Sequence, residues 1–320
     1  MASESSINIC EHELLSQSQK PSSVPDTHAF TQQMGTTAVT LFTFAQAVQK
    51  WLRYAPDRAG GTGRQRQRTM NYMVLWIIFP ISLSLVSFIG TWTVYGLAFT
   101  NNHVCSLTDW GSDNYCKGNQ STGCCLVPTI SSSGTSAPEN SLFTATINAG
   151  SFLFLLFSIF HHAHVMERHT CHSMLSRFAL VFGVVAALGA FTAGNCNPGY
   201  LALLHYLGAA ISFMCICFYT VLLTALTGKC SLTGYEKILY PLRIASTVVQ
   251  TIVTICYTVL FAQDEYFYVH LSAIFEWMLS INLELFELSF AVEFCFFSSF
   301  MLSNLLSKRE EEKPLMMTMS

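Results

Sequence analysis

Four glutamates, Glu276, Glu284, Glu287 and Glu293, lie with Asn282 in the last long apolar stretch of the chain, and no Lys or Arg stands among them. Carboxylates in hydrocarbon are costly and turn toward the interior of a helix bundle. Such a file could pass protons or cations, or it could tie helices together by hydrogen bonds. At about 100° per residue, Glu276, Glu284 and Glu287 fall within roughly 80° of one another, and Glu293 points elsewhere. From Glu276 to Glu293 the helix would run about 25 Å at 1.5 Å per residue. The break at Glu293 favours hydrogen bonding between helices over a conduction path.

Cysteines form a second constellation. Cys105, Cys116, Cys124 and Cys125 share the polar stretch from Thr100 to Ser141 with the sequon Asn119-Gln120-Ser121, a glycosylation acceptor in an exported loop. Four cysteines allow three pairings. Neighbours in sequence rarely bond each other, given the geometry a disulfide needs. Cys105 and Cys116 are therefore each expected to pair with one of Cys124 and Cys125, in either order. Zinc is the weaker reading, because exported cysteines are oxidised. A third group, His161, His162, His164, His169 and His172 with Cys171, clusters at the end of the second apolar stretch. Metal binding is conceivable there, but no zinc spacing is present, and histidines suit a helix C-terminus. Cys171 and Cys230 are candidates for acylation. No GxSxG, HExxH or P-loop pattern occurs. The expectation is no catalytic residue, no metal and no cofactor.

The elements that carry these groups follow from composition. Charged residues make up 11% of 320 and the AVILMFWYC set 51%, against roughly 25% charged in soluble proteins. So little charge cannot cover a soluble surface, and the pattern predicts an all-α membrane protein. A net charge of −3 suggests no nucleic-acid partner. Six stretches meet or approach the ~20 apolar residues a span needs: Met73–Phe99, Leu142–His164, Phe178–Ala193, Leu201–Leu226, Leu242–Ala262 and Val269–Leu302. The third is rich in Gly and Ala, which suits close helix packing in lipid. With six spans, every Lys and Arg except Lys117 falls on one side. The positive-inside rule then places both termini in the cytosol and the 100–141 loop outside. The domain reading is a polar and basic extension over 1–70, a six-helix bundle over 71–303 and a tail over 304–320. Val39–Tyr54 with the basic run to Arg68 could form an interfacial helix on anionic inner-leaflet lipid. In this topology His205 and Glu276 lie at similar depth on different helices, and the pair is expected to bond and lock the outer halves of those helices together.

From about Tyr72 to Leu302 the chain resembles the Frag/DRAM/Sfk family of six-span proteins, and within it the transmembrane protein 150 branch and its A-type members. The residues that carry the likeness are Pro80 to Cys105, the pair Cys124–Cys125, and Ala137 to Phe152. They continue with Gly194-Asn195, His205-Tyr206-x-Gly208-Ala209, Glu276-Trp277 and Glu293-Phe294. Ser133 and Ser141 stand where relatives carry Cys, and Glu284 and Glu287 are not expected to be acidic. The first 70 residues have no counterpart. The resemblance implies no catalysis. It implies a regulator of phosphatidylinositol 4-kinase complexes and phosphoinositide signalling at the plasma membrane, contacting the lipid bilayer. The alternatives are an endolysosomal modulator of autophagy, which Glu311-x-x-x-Leu315-Met316 would suit as a sorting signal, and an ion-conducting or mechanosensitive subunit.

Overall fold

A computed structural model describes residues 63–116, 123–168 and 172–295, with side chains from Trp76 onward. Asn119, Lys117, His169, Cys171, the Val39–Tyr54 segment and the 304–320 tail lie outside the described residues. Six long helices appear among them: α1 (Gly63–Thr100), α3 (Glu139–Arg168), α4 (Ser173–Asn195), α5 (Ala202–Lys229), α6 (Glu236–Phe261) and α7 (Tyr266–Leu288). Two short helices, α2 (Ile130–Ser133) and α8 (Ala291–Phe294), complete the set. The described residues contain isolated β-bridges but no strand.

Consecutive long helices pack side by side, and α7 returns against α1 to close a ring. Short connections force this order, because neighbours joined by a few residues must run antiparallel. The connections between long helices therefore alternate between two ends of the bundle. The described parts of the 101–138 segment cover one end, together with the turns after α4 and α6; we call this the loop end.

Five helices are long and apolar enough to cross a membrane: Trp76–Thr100 of α1, and α3, α4, α5 and α6. The outward faces carry Ile78, Ile89, Phe178, Leu188 and Val259, while Ser84, Thr146, Thr220, Gln250 and Arg243 are buried. A soluble protein keeps ionised groups such as Arg243 outside. This inverted arrangement suits hydrocarbon, where polar groups must find partners inside the bundle. The chain is a multi-pass membrane protein. α7 falls short of the same apolarity, because Glu276, Glu284, Glu287, Asn282 and His270 interrupt it.

The sequence reading of one apolar segment over Val269–Leu302 needs correction within its described part. α7 stops at Leu288, and a tight turn at Ser289 and Phe290 separates it from α8. Ser289 Oγ bonds its own chain at Phe286 O (2.6 Å), a local bond that competes with the helical ladder.

α4 and α5 approach most closely, as the Gly and Ala content of α4 suggests. A Cβ built on Gly189 would lie 2.7 Å from Gly208 O, and one on Gly208 would lie 2.7 Å from Gly189 O. Only hydrogen fits at either position, so the two backbones touch.

Candidate functional site

The loop end is built from the cysteine segment. Cys105 is bonded to Cys125 and Cys116 to Cys124, with Cα–Cα separations of 5.1 and 5.2 Å. Backbone bonds from Cys105 N to Leu126 O (2.9 Å) and from Leu126 N to His103 O (2.9 Å) hold the strip flat. The strip docks onto α7 through side chains of both partners. Trp277 Nε1 donates to Pro128 O (3.0 Å), and Trp277 packs on Trp92 with centroids 4.5 Å apart. His270 Nε2 reaches Leu107 O at 3.0 Å. Glu139, fully buried at the start of α3, is held by Asn101 and by His103 Nδ1 (3.2 Å).

At the opposite end lies a buried charge cluster that the sequence reading missed. Arg243, on α6, has no exposed surface. Its Nη1 donates to Glu293 and to Thr227 Oγ1 (2.6 Å). Its Nε donates to Ser289 Oγ (3.0 Å) and its Nη2 to Ser289 O (3.1 Å). The guanidinium also lies 3.4 Å from the centroid of the Phe290 ring, close enough for a cation–π contact. Glu293 Oε2 meets His161 Nε2 of α3 at 3.1 Å. One arginine thus joins α5, α6 and the α7–α8 turn, and Glu293 extends the link to α3. Charge counting placed Arg243 in a cytosolic loop; the structure puts it inside the bundle. The signal that could have found it is its place inside the apolar run Leu242–Ala262, where a basic residue without a partner would be costly.

The histidine group is dispersed among such links. His162 Nδ1 meets Ser176 Oγ at 2.8 Å, and no group of three potential metal ligands forms among the described residues.

Between the two ends lies a cavity of about 190 Å³ on the bundle axis. Six long helices and α2 contribute to its wall, and Glu276, Glu284, Glu287 and His205 all face it. Glu284 accepts from Ser280 Oγ (3.2 Å). The Glu276 carboxylate lies against the backbone amides of Ile130 and Ser131, and its Oε2 has no hydrogen-bond partner among the described residues. Asn282 faces away, bonding Ser246 O (3.0 Å) and Gln250 Oε1 (2.6 Å) on α6.

The expected bond between His205 and Glu276 is not formed. His205 Nδ1 donates instead to Ala193 O (2.8 Å) and Cys196 O (2.9 Å). These carbonyls belong to the end of α4, where the helix leaves its last acceptors unsatisfied. The imidazole is drawn to them because a buried carbonyl without a donor is costly.

A family model described as the Frag1/DRAM/Sfk1/Cwh43P N-terminal domain matches residues 75–295. The chain belongs to this family. Transmembrane protein 150A of Xenopus laevis is 33% identical over 230 residues, covering 69% of this chain and 84% of the relative. The human protein of that name is 31% identical over the same shares. Modulator of macroautophagy TMEM150B-A of Xenopus laevis is 28% identical, covering 69% of this chain and 87% of the relative. No solved structure matches. The segments that carry the family likeness are contact points of the bundle. Gly208 meets Gly189, His205 caps α4, Trp277 bonds the loop strip, and Glu293 holds Arg243.

Proposed function

We propose that the chain is a non-enzymatic regulator with six spans and both termini in the cytosol, acting at the plasma membrane on phosphatidylinositol 4-kinase localisation. The kinase enters through the family resemblance. One structural observation supports a scaffold over an enzyme. Among the described residues, the buried ionisable groups Glu139, His161, Arg243 and Glu293 bind neighbouring segments of the same chain. They join helices and loop, as the buried charges of a scaffold do. The basic segment with Arg64, Arg66 and Arg68, and the tail with Lys308, Arg309 and Lys313, would meet anionic inner-leaflet lipids or the kinase complex.

The direct test is the plasma-membrane fraction of a fluorescent kinase subunit, measured by total-internal-reflection microscopy with and without the chain. The fraction should rise with the wild type and fall back when the three arginines are replaced by glutamine. An unchanged fraction on expression of the wild type sinks the kinase role. Topology is tested separately: glycosidase should shift the wild-type protein and leave Asn119→Gln unmoved, and a C-terminal tag should be shielded in intact cells.

A second reading is an endolysosomal modulator of autophagy. It is favoured by relatives that carry the name modulator of macroautophagy and by the Glu311-x-x-x-Leu315-Met316 pattern. Localisation of a tagged chain to endolysosomes, with a change in autophagic flux on depletion, would select it.

A further inference from the structure

The glutamates of α7 and α8 have been treated in two ways by the fold. Glu293 is neutralised by Arg243 and His161. Glu276, Glu284 and Glu287 are 5%, 4% and 3% exposed, yet no Lys or Arg side chain lines the cavity they face. Among the described residues, His205 is the only basic side chain in that wall, and it spends Nδ1 on the α4 carbonyls. Glu276 Oε2 is buried without a partner, and no hydrogen bond reaches the Glu287 carboxylate among the described residues. A carboxylate so placed costs free energy unless a cation or donor meets it. Glu284 keeps a bond from Ser280 and Glu276 rests on two backbone amides, but no cationic side chain in the cavity wall meets any of the three acids.

The cavity has two acidic poles. Glu276 stands near the loop end, and Tyr206 and Tyr257 line the same cavity. Glu284 and Glu287 stand together two to three turns further along α7, about 12 to 16 Å away at 1.5 Å per residue. Between the poles the wall is apolar or hydroxylic, with Leu279, Leu283, Phe154 and Ala186 facing Ser87 and Thr146. At about 190 Å³ the space exceeds the roughly 150 Å³ apolar cavity that takes up benzene. A hydrated metal ion would leave the apolar middle unfilled, and a compact monoamine would reach one pole only.

We propose that the axial cavity binds an elongated organic dication, a linear diamine or polyamine, with one ammonium at Glu276 and the other at Glu284 and Glu287. The methylene chain lies along the apolar wall, and Tyr206 and Tyr257 in that wall offer an aromatic face to an ammonium. One ammonium pairs with Glu276, and the other is shared between Glu284 and Glu287.

The test uses the purified full-length chain in lipid nanodiscs. Binding of diaminooctane, diaminobutane, spermidine and octylamine is measured by isothermal titration at constant ionic strength. Diaminooctane and spermidine should bind saturably, and at least about tenfold more tightly than octylamine or diaminobutane, a difference of about 1.4 kcal/mol. Glu276→Gln and the double variant Glu284→Gln/Glu287→Gln should each lower diaminooctane affinity to that of octylamine. The length series in the wild type needs no variant, so a misfolded mutant cannot rescue or spoil it. Equal affinity for the monoamine and the diamine of the same length overturns the two-pole assignment. Absence of saturable binding by any amine, or its reproduction by sodium or magnesium at matched ionic strength, overturns the site. Failure of kinase recruitment leaves these readouts untouched.

Discussion

Arg243 offers the sharpest test of how this bundle is held together. Arg243→Met removes a guanidinium that bonds Glu293, Thr227 and both the hydroxyl and carbonyl of Ser289. It also strips Phe290 of its cation. What remains is a Glu293 carboxylate, 1% exposed, with His161 as its partner. Breaking a buried pair from one side costs about 3–5 kcal/mol, most of it the uncompensated charge. At about 2–4 °C per kcal/mol for a domain of this size, the melting temperature in nanodiscs should fall by about 6–20 °C. The second half of the test separates charge from packing. Arg243→Met combined with Glu293→Leu leaves no unpaired charge, so the double variant should recover most of the loss. Intrinsic tryptophan fluorescence gives the readout, since Trp92 and Trp277 are buried against each other. A single variant that melts within a degree or two of wild type would refute the reasoning, as would a double variant with the sum of both losses.

Three further outcomes follow from the same contacts. His205→Ala should cost about 1–3 kcal/mol, because it orphans the Ala193 and Cys196 carbonyls; paired with Glu276→Gln the losses should add, and a coupling above about 1 kcal/mol would mean that the two side chains do interact. Gly208→Val should destabilise by more than Gly199→Val in thermal melts, since a Cβ at Gly208 meets Gly189 O and Ala193 N (2.7 and 2.9 Å), whereas Gly199 meets only side-chain atoms. Peptide mapping without reduction should recover Cys105 linked to Cys125 and Cys116 linked to Cys124, and each bridge should contribute about 2–4 kcal/mol; recovery of Cys105 linked to Cys124 would contradict the loop geometry.

What the sequence by itself determined is the class of the protein and the faces of its helices. Scarce charge and long apolar runs require a lipid solvent, and five described helices have the length and apolarity to use one. Helical spacing groups Glu276, Glu284 and Glu287 on one side of α7, because a helix fixes its own azimuths without reference to any neighbour; Glu293 lies past the turn that ends α7. The Gly and Ala content of α4 signals close packing for the same local reason. The family likeness is legible in short segments such as Glu276-Trp277 and Glu293-Phe294.

Partners across helices were decided only by the tertiary structure. His205 and Glu276 share a depth, yet His205 turns to carbonyls 9 and 12 residues earlier in the chain, at the end of the helix beside it. Arg243 counts among the cytosolic-side charges in the sequence, but it meets Glu293 fifty residues away inside the bundle. Periodicity supplies each helix's faces, but not its rotation against its neighbours or its sliding along them. Those two freedoms are removed by backbone contacts such as Gly189 on Gly208 and by the links between buried polar groups on different helices, such as Arg243 with Glu293, which form only when the ring of helices closes.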